Sequence, residues 1–266
     1  MTEATAPKGV DPTVPSPARI YDAMLGGKDN YESDRRVLGL LSDLYPHAAT
    51  TARENRAWLG RAVRYLAGEA GVRQFLDIGA GLPTQENVHQ VAQAVDPSCR
   101  VVYVDNDPVV LAHGQALLAG SQNVAVFEGD LADVDAVLER ARETLDFTRP
   151  VAVLLSAVLH FFTDDQDPYP LVGRLRDALS PGGHIALSHG TGDIGSDDSK
   201  TFTDAYSQRV SSSLFLRDHA QVAAFFDGLE PVEPGIVHAV HWRPEPGTEP
   251  RPVEEAPVYA GIGRLV

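Results

Sequence analysis

The chain has 266 residues, 43% of them hydrophobic and 22% charged, a balance typical of a globular protein whose length suits one α/β unit. Its formal net charge of −15 argues against a nucleic-acid partner, which needs clustered Lys and Arg, and no such run occurs. The one cysteine, Cys99, excludes an internal disulfide and a cysteine metal site, and no spacing of His and acids suggests another metal site.

Met1 to Pro17, rich in Pro, Thr and Ala, reads as a flexible tail without a basic-then-apolar leader pattern. Ala18 to Tyr31 mixes aromatics, a glycine pair and charges. Two readings stay open for it. It is either a docking arm, or a lid in which Gly26 and Gly27 pass close to a ligand while Tyr21, Lys28, Asn30 and Tyr31 close over it. Asp34 is a candidate cap for a helix to about Leu44, which Pro46 stops. Thr50 or Thr51 is a candidate cap for a longer helix to about Gly68, with Trp58, Leu59, Ala62, Val63 and Leu66 on one core-facing side. Asn55 and Arg56 face either a ligand or solvent. Gly71 ends this helical region.

Gln74 to Ile78 then reads as a strand, Gly79-Ala80-Gly81 as a tight turn, and Gln85 to Val95 as a helix opened by Pro83 and Thr84. Three more apolar runs follow: Arg100 to Val104, Val124 to Phe127 and Val151 to Leu155. They end in Asp105-Asn106-Asp107-Pro108, Glu128-Gly129-Asp130-Leu131 and Ser156-Ala157-Val158-Leu159-His160. Helices are expected near Val109 to Ala119, Leu131 to Leu145 and Pro170 or Leu171 to Leu179, before a fifth strand, His184 to Ser188. This alternation implies right-handed βαβ units in a parallel sheet. Gly190 to Asp198 is an expected loop and Lys200 to about Ser211 a surface helix. Asp218 caps a further helix with Val222, Ala223, Phe225 and Phe226 inward, stopped by Gly228. Ile236 to His241 and Val258 to Leu265 form an antiparallel pair around a long Pro/Glu loop, Arg243 to Pro257, disordered at its tip. The longest near-apolar run, Val151 to Phe162, is shorter than the ~20 residues a bilayer takes, so no membrane role and a cytoplasmic location are expected.

Asp77-x-Gly79-x-Gly81 stands where a strand turns into a helix. Glycine is wanted there for φ > 0 and for close approach of a ligand, and open α/β sheets bind just beyond their strands' carboxyl ends. Asp105 follows Gly81 by 24 residues, close to the ~20 of a carboxylate that takes ribose hydroxyls.

With Gly129-Asp130 after strand three and Leu179-Ser180-Pro181-Gly182-Gly183 before strand five, Gln74 to His189 resembles the class I S-adenosylmethionine-dependent methyltransferases. Ala18-Arg19-Ile20-Tyr21-Asp22, Leu25 to Tyr31, Trp242-Arg243-Pro244 and Tyr259 to Arg264 resemble a bacterial subfamily of them, which extends the likeness over nearly the whole chain.

The resemblance implies a doubly wound, mostly parallel, Rossmann-like seven-stranded sheet with an antiparallel last strand. The implied organisation is a tail (1–17) and one domain (18–266), divided into an N-terminal helical arm or lid (18–70), a cofactor-binding core (72–189) and an acceptor-side helix with a terminal hairpin (190–266). It also implies S-adenosylmethionine as cofactor and, for an acidic and lidded chain, a small-molecule acceptor. Catalysis would be mainly positioning. Asp77 and the Gly79-Ala80-Gly81 backbone would sit by the amino-acid end, with Lys28 a candidate for its carboxylate. Asp105 would take the ribose hydroxyls with Asn106 beside the adenine. Asp130, after Gly129, would accept from the adenine amino group, with Leu131 donating its N–H and covering the ring. Ser156 would face the methionine portion or the acceptor. Asp105 and Asp130 could instead be helix caps. His160 is either a general base for the acceptor or a structural histidine. His113, His184 and His189 are weaker candidates.

Two rivals stay in view. A nicotinamide-dependent oxidoreductase would need a third glycine where Thr84 stands, and Glu86 would put negative charge in the first helical turn. A non-catalytic binder of S-adenosylmethionine or S-adenosylhomocysteine would need only the cofactor half. Oligomeric state is not legible.

Overall fold

Apolar runs form five strands, the central ones buried on both faces as parallel strands between two helical layers must be, and the edge strand Val124–Glu128 only half-buried. In the computed structural model, which describes residues 10–83, 86–118, 123–194, 196–210 and 212–266, three helices come first: α1 (Pro17–Met24), α2 (Glu32–Leu44) and α3 (Ala48–Gly68). The alternating core follows as β1 (Gln74–Ile78), α4 (Val88–Val95), β2 (Arg100–Asp105), α5 (Pro108–Leu118), β3 (Val124–Glu128), α6 (Val134–Ala141), β4 (Ala152–Ser156), α7 (Tyr169–Asp177) and β5 (His184–Gly190). The chain closes with α8 (Ser196–Ser207), α9 (His219–Ala224), β6 (Glu230–Pro231), β7 (Val237–His238) and β8 (Val258–Arg264).

The sheet order is β3-β2-β1-β4-β5-β8-β6, with β7 also on β8. β1 to β5 are parallel and β8 runs antiparallel to β5, with Leu187 opposite Gly261. This is the doubly wound, Rossmann-like architecture. Among the described residues it has eight strands where seven were expected. The return segment covers the free edge of β8 in two pieces, Glu230 opposite Arg264 and Val237 opposite Ala260. Pro231 and Pro234 lie along that segment, and proline cannot donate to a continuous ladder.

Alternation of side chains divides the core. Leu76, Val102, Val153 and Leu187 pack with α6, α7 and α9, while Phe75, Val101, Leu154 and Ala186 pack with α3, α4 and Trp242. Trp58, Leu59, Ala62, Val63 and Leu66 are buried in the second layer, as their helical spacing requires. A smaller cluster of Ile20, Val37, Leu41, Tyr206 and Val210 joins α1, α2 and α8. Among the described residues no helix is long and apolar enough to cross a membrane.

Several helix starts differ from those the sequence suggests. Asp34 lies inside α2 rather than capping it: its Oδ2 accepts from Tyr31 N–H and from Arg19 Nε, each at 2.8 Å. Pairing with a buried arginine outweighs the end position. α3 begins at Ala48, before Thr50, and Thr51 bonds back to the His47 carbonyl (3.1 Å). α4 begins at Val88 because Glu86 adopts φ 58°, a left-handed conformation no helix continues through. Thr84 and Gln85 lie outside the described residues. The expected Leu131 helix is a 3-10 turn followed by α6, which stops at Ala141. α8 starts at Ser196, inside the expected loop. Asp218 caps α9 as expected, its side chain accepting from Gln221 N–H (2.8 Å). The expected tail lies on Met1 to Gly9, outside the described residues, and on Val10 to Ser16. These last are tied down: Ser16 N–H donates to Asp34 (3.0 Å) and Ser33 Oγ donates to the Pro12 carbonyl (2.6 Å). Arg251, at the tip of the expected disordered loop, pairs with Glu54 at 2.9 Å.

Candidate functional site

A cavity of about 1150 Å³ opens beyond the carboxyl ends of β1 to β4. It straddles the point where the order reverses between β1 and β4, the position where doubly wound sheets take ligands. Such pockets usually hold ~300–1,000 Å³, so there is room for a cofactor and a second small molecule.

The glycine turn forms one wall. Gly79 and Gly81 have φ of 72° and 67°, and a Cβ on Gly79 would come within 2.6 Å of Val158. Both glycines are therefore required by the backbone. The turn's amides are committed within the protein: Gly79 and Ala80 donate to the Val104 carbonyl (2.8 and 3.2 Å), and Gly81 donates to Asp105 Oδ2 (2.8 Å).

Asp77, Asp105 and Asp130 all line this cavity, from adjacent strands. Asp105 is buried and fixed twice, by Gly81 N–H and by Asp107 N–H on Oδ1 (2.9 Å). Burial pushes its carboxyl up. The cap of α5 is Asp107, which accepts from Val109 N–H (2.8 Å), so Asp105 is not the cap. Asp130 does act as a cap, accepting from Ala132 N–H at 2.9 Å, and is exposed to the cavity. Asn106, Gly129 and Leu131 line the same end, with Asn106 exposed and Leu131 buried. Gly129 is glycine for packing, since a Cβ would meet Val104 at 2.7 Å.

Asp77 is the electrostatic outlier. It is 3% exposed, and no hydrogen bond reaches its carboxylate from the described residues. Burial drives its carboxyl up to about 7, with Arg56 opposing and Asp105 adding to the rise. Arg56, on α3, also lines the cavity and reaches the Glu86 carbonyl at 3.1 Å.

Ser156 belongs to a buried polar network at the tips of β4 and β5. Asn55 Nδ2 donates to Tyr21 Oη (3.0 Å) and Ser156 Oγ (3.2 Å), and Ser188 Oγ donates to Asn55 Oδ1 (2.6 Å). Ala157 is held at φ 54° beside it, its N–H on Ser188 Oγ (3.0 Å). Such a conformation in a non-glycine residue persists only where its surroundings fix it.

The arm divides. Tyr21 lines the cavity and donates to the Ala52 carbonyl (3.0 Å). Lys28, Asn30 and Tyr31 do not line it, because the Gly26-Gly27 turn folds back on Asp22. Asp22 Oδ2 accepts from Asp29 N–H and Asn30 Nδ2, and a Cβ on Gly27 would meet that carboxylate at 1.9 Å. Lys28 points to solvent, and Tyr31 lies under the Arg19 guanidinium at 5.1 Å. The cavity is covered by Val10 to Met24 instead, including Ser16, whose Oγ donates to Asp107.

His160 lines the cavity, and its Nδ1 is buried with no hydrogen-bond partner among the described residues. Burial, then the nearby Arg217 charge, lower it to about 4. His184 and His189 are buried and lowered to about 4 and about 3. His189 accepts from Arg217 through Nε2 (3.0 Å) and donates through Nδ1 to the Gly190 carbonyl (2.7 Å). His113 lies 3.6 Å from Asp29. The sequence reading missed Arg217, Ser188 and the aromatic residues Phe161, Phe202 and Tyr206. Asn55 and Arg56, left open there, both belong to the site. An Asn one turn before Trp58 and Leu59 on an apolar helix face was the available signal.

A family model described as S-adenosyl methyltransferase matches residues 3–266. Among solved structures, a DUF574 family protein from Streptomyces avermitilis MA-4680 is 41% identical, with a TM-score of 0.91 over 95% of this chain and 98% of that one. A protein from Thermobifida fusca YX is 42% identical, with a TM-score of 0.92 over 97% and 98%. The N-methyltransferase NodS from Bradyrhizobium japonicum WM9, solved with S-adenosyl-L-homocysteine, shares the fold at 13% identity, with a TM-score of 0.51 over 93% and 98%. No curated protein matches the chain.

Proposed function

Because the chain belongs to the S-adenosyl methyltransferase family, we propose that it moves a methyl group from S-adenosylmethionine to a small-molecule acceptor bound in the same cavity. The observation that carries this is the convergence of Asp77, Asp105 and Asp130 on one cavity at the β1/β4 switch point. S-adenosylmethionine supplies a methyl carbon already activated by the sulfonium. The protein's work is therefore mainly to hold two reactants in line.

Asp105, pre-aligned by two amides, takes the ribose hydroxyls. Asn106, Asp130 and Leu131 take the adenine. Asp77 supplies negative charge beside the sulfonium and ammonium, which draws its proton off when the cation binds. Arg56 replaces Lys28 as the cation for the amino-acid carboxylate, since it lines the cavity and Lys28 does not. Ser156, held by Asn55, marks the boundary with the acceptor. His160 is kept neutral, so it accepts a hydrogen bond from the acceptor. A group lowered to about 4 is too weak a base to store the proton at neutral pH.

Incubation with methyl-labelled S-adenosylmethionine and the small-molecule fraction of a cell extract tests the activity. Label recovered on a small molecule is the expected result. Binding of the cofactor with no label transferred, across extracts and pH, would instead make the chain a sensor.

A further inference from the structure

The far half of the cavity is a run of rings. Tyr45 lies edge-on to Phe202 (centroids 5.7 Å), Phe202 is tilted against Tyr206 (6.4 Å), Tyr206 stacks with Phe161 (6.4 Å, 29° between planes), and Phe161 meets His160 edge-on (4.5 Å). All five line the cavity, yet they come from three separate stretches: the turn after α2, the helix α8 and the segment after β4.

The charged lining residues lie elsewhere. Asp77, Asp105, Asp107 and Asp130 sit at the strand tips with the Arg56 charge acting on Asp77, Asp11 lies on the covering N-terminal segment, and Arg19 is paired with Asp34. Glu254, whose carbonyl takes the Tyr45 hydroxyl, carries its carboxylate exposed at the rim. Tyr206 is 5% exposed, and among the described residues its hydroxyl has no protein partner.

We propose that the methyl acceptor is an uncharged, planar aromatic alcohol, of the phenol class, that lies against this belt with its hydroxyl toward Ser156 and His160. The assignment rests on the methyl-transfer reading. Ring faces favour flat π-systems in stacked or edge-on contact over saturated skeletons of equal size. An anionic acceptor would lose its hydration against these rings, since Arg56 acts on Asp77 on the cofactor side, and would face the strand-tip carboxylates. A protonated amine has no lone pair to give. In the transfer, the acceptor oxygen bonds to the methyl carbon as the carbon–sulfur bond breaks, its electron pair staying on sulfur. The hydroxyl proton leaves to water.

The test uses the full chain saturated with S-adenosylhomocysteine and three matched probes, 2-naphthol, 2-naphthoate and decahydro-2-naphthol, titrated by calorimetry. 2-Naphthol is expected to bind at least about tenfold more tightly than either of the others. Phe202→Ala is expected to cost it about tenfold while S-adenosylhomocysteine affinity stays within about twofold. Equal or tighter binding of the carboxylate or the saturated alcohol to the wild-type protein overturns the assignment, with no need for a folded variant. So does an unchanged 2-naphthol affinity in a folded Phe202→Ala protein. If S-adenosylhomocysteine itself fails to bind, the methyl-transfer reading falls and the assignment falls with it. If it binds and the probe ranking fails, the acceptor assignment alone is lost.

Discussion

The two halves of the cavity are made in different ways. The strand-tip half is assembled from short local segments, each a strand followed at once by its turn: Gly79 to Gly81, Asp105 to Asp107, Gly129 to Leu131. The opposite half is assembled from residues far apart in the chain. Asn55 meets both Tyr21 and Ser156, Ser188 meets Asn55, and Phe161 meets Tyr206. The first half is set by backbone geometry that any doubly wound sheet repeats, and the second by packing particular to this chain. On the proposed reading, cofactor binding belongs to the first and choice of acceptor to the second.

Substitutions can separate the halves. The largest effect is expected at Asp77. Its carboxyl is raised to about 7 in the folded chain, against an ordinary 3.8, so the native state holds this proton more tightly than the unfolded chain does. The resulting stabilisation is complete below the unfolded value and is lost as pH rises through about 7. Asp77→Asn is therefore expected to raise unfolding stability at pH 8, by at most about 4 kcal/mol, and by little below pH 4. Chemical denaturation at the two pH values checks this. The same variant should bind S-adenosylmethionine more weakly relative to S-adenosylhomocysteine, because the sulfonium loses its counter-charge.

Asn55→Ala strips partners from Ser188, Ser156 and Tyr21 at once. A loss of about 2–3 kcal/mol is expected, since buried polar groups left unpaired cost ~1–3 kcal/mol each. The glycine turn is untouched, so the surviving folded protein should still bind S-adenosylhomocysteine within a few-fold. Arg56→Met comes next, with cofactor affinity expected to fall about tenfold, the scale of one charge-assisted hydrogen bond. Lys28→Met should change affinity by less than about twofold. A larger loss for Lys28→Met than for Arg56→Met would return the glycine-pair turn to the site.

The contrast also explains what was readable in the sequence. The Asp-x-Gly-x-Gly turn, Asp105 and Gly129-Asp130 were legible because each depends on its own strand and turn, so spacing alone carries them into one site. For Lys28, Asn30 and Tyr31 a lid stays open in the sequence beside a docking arm, because the segment is compact and carries a glycine pair. The Asp22 carboxylate, which ties Asp29 and Asn30 back onto the arm, acts through the fold of that arm and leaves no periodic trace. Arg217 was invisible for a related reason. Its guanidinium reaches the Leu159 and Phe162 carbonyls and Asp164 across more than fifty residues. The eighth strand escaped notice because two residues of pairing, broken by prolines, make no alternating pattern.

The central claim is that three strand-tip carboxylates surround one adenosyl ligand. Calorimetric titration of S-adenosylhomocysteine into the wild-type chain and into Asp105→Ala tests it most directly. One site of about micromolar Kd is expected, weakened at least about tenfold when Asp105 is removed. A titration without heat, or an affinity that Asp105→Ala leaves intact in a folded protein, contradicts it.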